Sequence, residues 1–321
     1  MKKKSPRIDR NQTPTVSIGM PVYNGEQWLH TAIKSILQQS YSDFELIISD
    51  NASTDKTQEI CEQYARQDER VRYIRNEKNL GANPNFNKVF FESRGRYFKW
   101  ASCNDLLHVD MLQRCVGELD KNGDAVLCFP NTKLFMDIDG EYQEYEDPAS
   151  ITSEKAHQRF RDLIEQLGLN NMLNGLFRSD ALAKTKLIKT YFSSDNVLMA
   201  ELTLHGKMIN VPEFLFYRRM EPQSATALKD YDELVKHYRP DSSMKMIFQE
   251  WIIQFHYMKA AFGAPILKSK IKCVTFVLKN MLWHRKELWQ DFKFSFIELE
   301  RMTKKNILRL VTVTEFTNHG H

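Results

Sequence analysis

Short apolar runs alternate with helical patterns along the first hundred or so residues, and this alternation limits the choice of fold more than any other feature. Thr15–Met20, "TVSIGM", is β-branched and apolar, and reads as a buried strand stopped by Pro21. Trp28, Ala32, Ile33, Ile36 and Leu37 then share one helical face, with Asn24 and Gln27 in cap-like spacing before them. "FELIIS" (Phe44–Ser49) is a second strand, followed by a helix that opens at Asp55 and runs through Ile60 and Tyr64. Val71–Arg75 and Asn83–Glu92 repeat the pair, and Arg96–Trp100 supplies another strand. Such an order predicts a mainly parallel sheet with helices on both faces and right-handed crossovers. Ligands of such sheets sit beyond the carboxyl ends of the strands. Polar clusters fall at those ends: Tyr23–Asn24, Asp50–Asp55, the Asn76–Asn87 region and Cys103–Asp105.

Farther along, Ala125–Pro130 and Thr132–Met136 read as strands before a turn at Asp137–Gly140. Ser153–Leu167 and Asp195–His205 read as helices, and Met208–Arg218 as an extended piece. From about Tyr231 to about Leu310 the pattern is helical. The expected organisation is a disordered basic tail over residues 1–13, an α/β domain over 14–225 and a helical region over 226–321.

Composition excludes several classes. Hydrophobic residues are 42% and charged residues 27%, which rules out wholesale disorder. The net charge of +4 is too mild to argue for nucleic acid. No two of the five cysteines have C-x-x-C spacing, so neither a zinc cluster nor a disulfide framework is expected, and a reducing compartment follows. The basic start "MKKKSPRIDRNQTP" has no apolar run behind it, so no secretory signal is expected. No stretch of about 18 apolar residues is present to span a membrane.

The loop "KWASCNDLL" (Lys99–Leu107) has the layout of a metal-carboxylate loop, with Asp105 as its sole acid. After the first strand the sequence "GMPVYNGEQW" lacks the G-x-G-x-x-G of a dinucleotide fold, and no Walker loop occurs. A hard cation held by carboxylate oxygen is another way to neutralise a diphosphate, and Asp105 is placed to be its ligand.

"PVYN" (Pro21–Asn24) followed by "DNASTD" (Asp50–Asp55) resembles the family 2 glycosyltransferases, which are inverting, nucleotide-sugar-dependent and of GT-A fold. The resemblance continues through "RNEKNLGANPNFNKVF", "KWASCNDLL", "NGLFR", "SSDNVLMAELTLHGK" and "FLFYRRMEPQS", roughly residues 14–225. It implies a Rossmann-like α/β domain with a mixed, mostly parallel sheet and a helical C-terminal extension. It implies transfer of a sugar from a UDP- or dTDP-type donor to a hydroxyl acceptor, a glycan or lipid-linked compound, in bacterial polysaccharide assembly. Pro21 and Tyr23 would wall the nucleobase pocket, Asp50 would accept the base N–H, and Asp55 would support the pocket. Asn24, Glu26, Asn79, Asn85 and Asn104 would complete the nucleotide-sugar contacts. Asn174 and Gly175 would face the acceptor, and Asp195 would be the base. Capping remains the competing role for Asp50, Asp55 and Asp195.

Two departures bear on the expected cofactor, Mn²⁺ or Mg²⁺. Relatives usually carry D-x-D or H-D-D where this chain has Cys103-Asn104-Asp105, which weakens cation binding. Where relatives often have His, this chain has Glu221, a candidate compensating metal ligand. Arg218 and Arg219 are either leaving-group cations or a surface basic pair. The alternative to an enzyme is a degenerate nucleotide-sugar-binding protein with a weakened metal site.

In the C-terminal region, Lys268, Lys272, Lys279 and Lys286 fall on one helical stripe, and Leu267, Ile271, Val274, Leu278 and Leu282 on another. Either the apolar stripe packs on the protein with the lysines in water, or the helix lies on an anionic membrane. The expected location is cytoplasmic, with peripheral membrane contact as the second arrangement.

Overall fold

The computed structural model describes residues 13–220, 235 and 247–317, with side chains as far as 303. The N-terminal basic tail, Glu221, the expected 225/226 boundary and the terminal "NHGH" lie outside the described residues.

Among the described residues the chain forms a nine-stranded mixed sheet with helices around it. Strands β1 (Val16–Val22), β2 (Phe44–Asp50), β3 (Val71–Arg75) and β4 (Tyr97–Trp100) are mutually parallel in the order β3-β2-β1-β4. Helices α1 (Leu29–Leu37), α2 (Thr57–Gln67) and α3 (Ala82–Phe91) connect them. β1 and β2 are buried along their whole length, as runs covered on both faces must be. β1 does not stop at Pro21 as expected. Gly19 O accepts from Ala101 N, so odd positions of β1 point toward β4, whereas Val22 O accepts from Asn51 N on the β2 side. The β4 pairing ends at Gly19, so the missing N–H of Pro21 faces no strand.

Beyond β4 the sheet turns mixed. After β5 (Leu106–Leu107) and α4 (Met111–Lys121) comes β6 (Ala125–Phe135), one long strand rather than the two expected. Its register slips around Pro130 and Asn131, which absorbs the proline without ending the strand. β7 (Tyr142–Tyr145), unforeseen in the sequence, pairs on the far half of β6. Helix α5 (Ala156–Gln166), a 3-10 turn (Asn171–Asn174), β8 (Leu176–Arg178), α6 (Ser179–Leu182) and α7 (Ser194–Thr203) lead to β9 (Lys207–Arg219), which runs parallel to β6 and closes on β5.

Two apolar layers sandwich the sheet. One gathers α1, α2 and α4 around Ile18, Leu46 and Ile48. The other centres on Trp100, whose ring meets Phe98 and Phe177 edge-on at 5.0 and 5.3 Å. That layer also takes in α5, α7 and the C-terminal helices α8 (Gln249–Phe262) and α9 (Leu267–Trp283), through Phe160, Tyr257 and Phe276. A last helix, α10, spans Arg285–Thr317. No described helix is long and apolar enough to cross a membrane.

Helix α9 presents two distinct faces. Its inward face is Ser269, Cys273, Phe276, Val277 and Asn280. Leu267, Ile271, Leu278 and Leu282 point outward, 51–70% exposed. Among the described residues these four stripe positions are left uncovered, while Val274 packs against the core. Lys268, Lys272 and Lys279 are exposed beside it.

Candidate active site

The carboxyl edge of the parallel strands is built from loops laced to one another. Asn24, at φ 50°, accepts the Thr54 N–H on Oδ1 (2.9 Å) and donates its own N–H to Ser53 Oγ (2.9 Å). It ties two loops together and does not cap α1. Gly25 N–H reaches Thr57 Oγ1 at 2.8 Å. Asp55 accepts from Glu26 N at 3.0 Å and from Thr57 N at 3.0 Å, while Glu26 accepts from Lys56 N at 2.9 Å. Burial pushes the Asp55 carboxyl up, but bonds from Thr57 and the Glu26 N–H outweigh it and hold it below its usual value. Asp55 thus caps the start of α2 and braces the neighbouring loop at once.

Asp50 ends β2 and is wholly buried. One oxygen accepts Ser53 N (2.8 Å); the other accepts the Tyr73 hydroxyl (2.8 Å) and the Arg75 guanidinium. Arg75 also donates to Ser53 O at 2.8 Å. Next to it stands a block of amides. Asn51 donates to Asn79 Oδ1 (2.7 Å) and Gly81 O and accepts from Asn76 (2.9 Å); Asn85 accepts from Ser49 Oγ (2.7 Å) and donates to Ser49 O (2.8 Å). Asn79 and Asn85 hold the loop after β3 against the end of β2. Pro21 is buried in β1, whereas Tyr23 projects, 48% exposed.

The β4 loop lies across from these. β5 pairs Leu106 with Tyr217, which sets Asp105 beside Arg219, and Arg219 N–H donates to Asp105 Oδ1 at 2.8 Å. Burial raises the Asp105 carboxyl to about 6, against the pull of that N–H and of Arg218, Lys99 and Arg219. Asn104 accepts from the Ser102 hydroxyl. Arg219 is no surface residue. Its guanidinium lies 3.7 Å from the Trp28 ring centroid and 4.5 Å from that of Phe135, and it donates to Asn104 O and Met136 O. Among the described residues no cluster of three or more His, Cys, Asp or Glu could cage a metal. A cation held here would have Asp105 as its carboxylate ligand and would depend on a diphosphate for further oxygens.

Asp195 sits in the first turn of α7. Its Oδ2 accepts from Asn170 Nδ2 at 2.7 Å. Burial raises the carboxyl, opposed by Asn170, the N–H groups of Asp195 and Asn196, and Arg218. Arg218 donates to Leu169 O (2.9 Å) and Asn171 Oδ1 (2.7 Å). Asn170, between those two partners, donates to Asp195, and the next residue of β9, Arg219, donates its N–H to Asp105, so the end of β9 joins the loops of the two acids. Asp147 accepts from Thr132 Oγ1 at 2.5 Å and is raised to about 6 by burial. Asp50 belongs to a separate group with Arg75 at the end of β2. A Cβ added at Gly25 would lie 3.3 Å from Cys103 Sγ, so the loop after β1 packs against the β4 loop.

The residues from β1 to β8 also carry the mark of a family. Residues 17–179 match the model described as "Glycosyl transferase family 2". This chain is a member of that family. Curated relatives agree. TuaG of Bacillus subtilis, named for teichuronic acid biosynthesis, is 36% identical over 104 residues, 32% of this chain and 41% of that protein. The glycosyltransferase GlyG of Streptococcus pneumoniae is 27% identical over 224 residues, 64% of this chain and 70% of that protein. The chain thus aligns with less than half the length of TuaG. In fold, residues 1–349 of S. aureus TarS, solved with UDP, superpose with a TM-score of 0.61 at 14% identity, over 83% of this chain and 71% of that one. A mannosyltransferase of Pyrobaculum calidifontis, solved with GDP-Man and Mn²⁺, gives 0.51 at 15% identity, over 90% and 86%.

Set in this family's fold, Gly175 has a clear local reason. An added Cβ would lie 2.6 Å from Cys128 O and 2.8 Å from Leu127 Cδ1, so the segment presses directly on β6. The adjacent Asn174 carbonyl accepts from Lys99 Nζ. Lys99 is fully buried, and burial lowers its ammonium to about 7. Lys99, Arg75, Asp147 and Asn170 were not singled out from the sequence. Only Lys99 gave a signal, a lone charge inside the apolar run "YFKWA".

Proposed function

We propose that the chain transfers one sugar, with inversion at the anomeric carbon, from a nucleoside diphosphate sugar to a hydroxyl of a glycan or lipid-linked acceptor in polysaccharide assembly. One observation carries this reading: the end of β9 ties the loops of both acids together, Arg219 N–H donating to Asp105 while Arg218 holds Leu169 O and Asn171 Oδ1 on either side of Asn170, which donates to Asp195.

The acceptor oxygen attacks the anomeric carbon as the bond from that carbon to the β-phosphate oxygen breaks. Asp195 takes the acceptor's proton on the face away from the leaving diphosphate. Its raised pKa suits a base, since a carboxylate of ordinary acidity holds a proton poorly. Only one such carboxylate is needed, which is why inversion is the proposed outcome. Asp105, with the diphosphate, would hold Mn²⁺ or Mg²⁺, which supplies charge neutralisation to the leaving group when bound. Arg218 adds a fixed positive charge there. Tyr23 and Pro21 flank the nucleobase, and Asp50 takes its ring N–H by exchanging the Arg75 bond for it. Asn24, Glu26, Asp55, Asn79 and Asn85 act mainly by holding the loops that make that pocket, and Asn104 lines its diphosphate end. Asn174 and Gly175 form the acceptor side. A panel of UDP-, dTDP- and GDP-sugars, assayed for donor hydrolysis and transfer with and without Mn²⁺, tests this. One donor should turn over. Binding without turnover of any donor would mark the chain as a nucleotide-sugar-binding protein.

The outward face of α9 supports peripheral contact with an anionic membrane, on the side where a lipid-linked acceptor is presented. Its exposed apolar stripe is bordered by lysines, the pattern that lies in a lipid headgroup region. The chain is expected to co-sediment with vesicles containing anionic lipid and far less with neutral ones. Ile271→Asp with Leu278→Asp should abolish the difference. Equal recovery with both vesicle types would remove the membrane from the proposal.

A further inference from the structure

Beside the proposed base, α7 also forms one wall of a cavity that the transfer chemistry leaves unused. A space of about 230 Å³ opens between α7, the loop before it and α8. Three ammonium-bearing side chains line it: Lys186, Lys189 and Lys259. Tyr191 and His256 stack along it, with ring centroids 4.3 Å apart and planes 16° from parallel. Leu198, Val197 and Ala260 make the lining largely apolar.

The charges do not balance within the cavity. Glu201 is the sole carboxylate in the lining; one of its oxygens accepts Lys186 N–H at 2.9 Å, and burial raises its pKa. His256 is held below its usual value by burial and then by Lys259 and Lys189, so both ammonium charges bear on the same ring. Three ammonium groups against one carboxylate give the cleft a positive potential that a bound anion relieves. The apolar lining and stacked pair favour an anion attached to a larger body over a bare ion. The position matters as well. Leu198 follows Asp195 by one helical turn, and the charge of Asp195 reaches Tyr191.

We propose that this cavity binds a phosphate group of the acceptor, which makes the acceptor a phosphorylated hydroxyl compound; this rests on the glycosyl-transfer reading of Asp195. The phosphate belongs either to a lipid carrier or to a water-soluble phosphorylated glycan, and the test separates them. Calorimetric titration of the full chain would use a short prenyl monophosphate, a sugar 1-phosphate and inorganic phosphate, with UDP titrated in parallel. Lys189→Ala with Lys259→Ala should weaken the better organic phosphate at least tenfold and leave UDP unchanged. Lys184→Ala, an exposed lysine outside the cavity, should change neither. Tighter binding of the prenyl probe assigns a lipid carrier, and tighter binding of the sugar phosphate a soluble glycan. The proposal is overturned if the double variant binds as wild type does, or if inorganic phosphate binds as tightly as either organic probe. Wild type that binds an organic phosphate but no nucleoside diphosphate would sink the donor reading while keeping the cavity.

Discussion

Asp195→Asn is expected to lower turnover about a thousandfold, in the middle of the range for loss of a general base, with donor affinity held within about twofold. The substitution keeps the shape and an acceptor oxygen for Asn170, which donates to Oδ2 at 2.7 Å in the wild type. What it removes is the capacity to take a proton. The pH dependence gives a second readout. Burial raises the Asp195 carboxyl, so the wild-type rate should climb with pH over a range above that of an ordinary carboxylate. The variant should lose that limb. Stability moves the other way. A carboxyl raised in the folded state contributes stability below the unfolded carboxylate range and loses it as pH rises through the folded value. Once ionised, the wild type carries a buried charge that the amide lacks, so above that range the variant should be at least as stable. A matching fall in donor affinity, read by titration, would reassign Asp195 to a structural role.

Asp50→Ala should be costly in a different way. It removes the acceptor for Ser53 N–H, the Tyr73 hydroxyl and the Arg75 guanidinium, at a position with no access to water. Arg75 is a third exposed and can turn to water, but the Ser53 N–H and Tyr73 hydroxyl lose their acceptor, at about 1–3 kcal/mol for each buried group left unpaired. The urea midpoint should fall accordingly, and nucleotide binding should be lost even where the variant is folded. Arg75→Met separates the two effects, because it frees an Asp50 oxygen without deleting the carboxylate. UDP affinity that survives Arg75→Met and vanishes in Asp50→Ala supports contact between Asp50 and the base. Equal loss in both would mean that the pair matters only as a brace.

The alternating order of strands and helices was legible because each parallel strand is an uninterrupted apolar run, and because side-chain period is a local property. "FELIIS" is buried on both faces and could be little else. β6 was misread because proline is a local signal of breakage, whereas its tolerance depends on a register slip against β9. β7 is a short, mostly exposed strand that exists through its pairing with β6. In the site, the acids Asp50, Asp105 and Asp195 were visible as types at strand ends and helix starts. Their partners were not. Arg75 is 25 residues from Asp50 and Arg219 is 114 from Asp105, and no periodicity connects them. Asp147 read as one more acid in "EYEDP", and its burial arises from Thr132 on a neighbouring strand.

The lacing of Asn24, Glu26 and Asp55 between the first two loops divides labour along the rim. These side chains are spent on keeping the edge in shape, while Tyr23 stands free of it. Under the proposed reading, substitutions at position 23 can change which nucleobase is preferred without loosening the frame, so donor choice in chains of this kind can drift at little cost to folding.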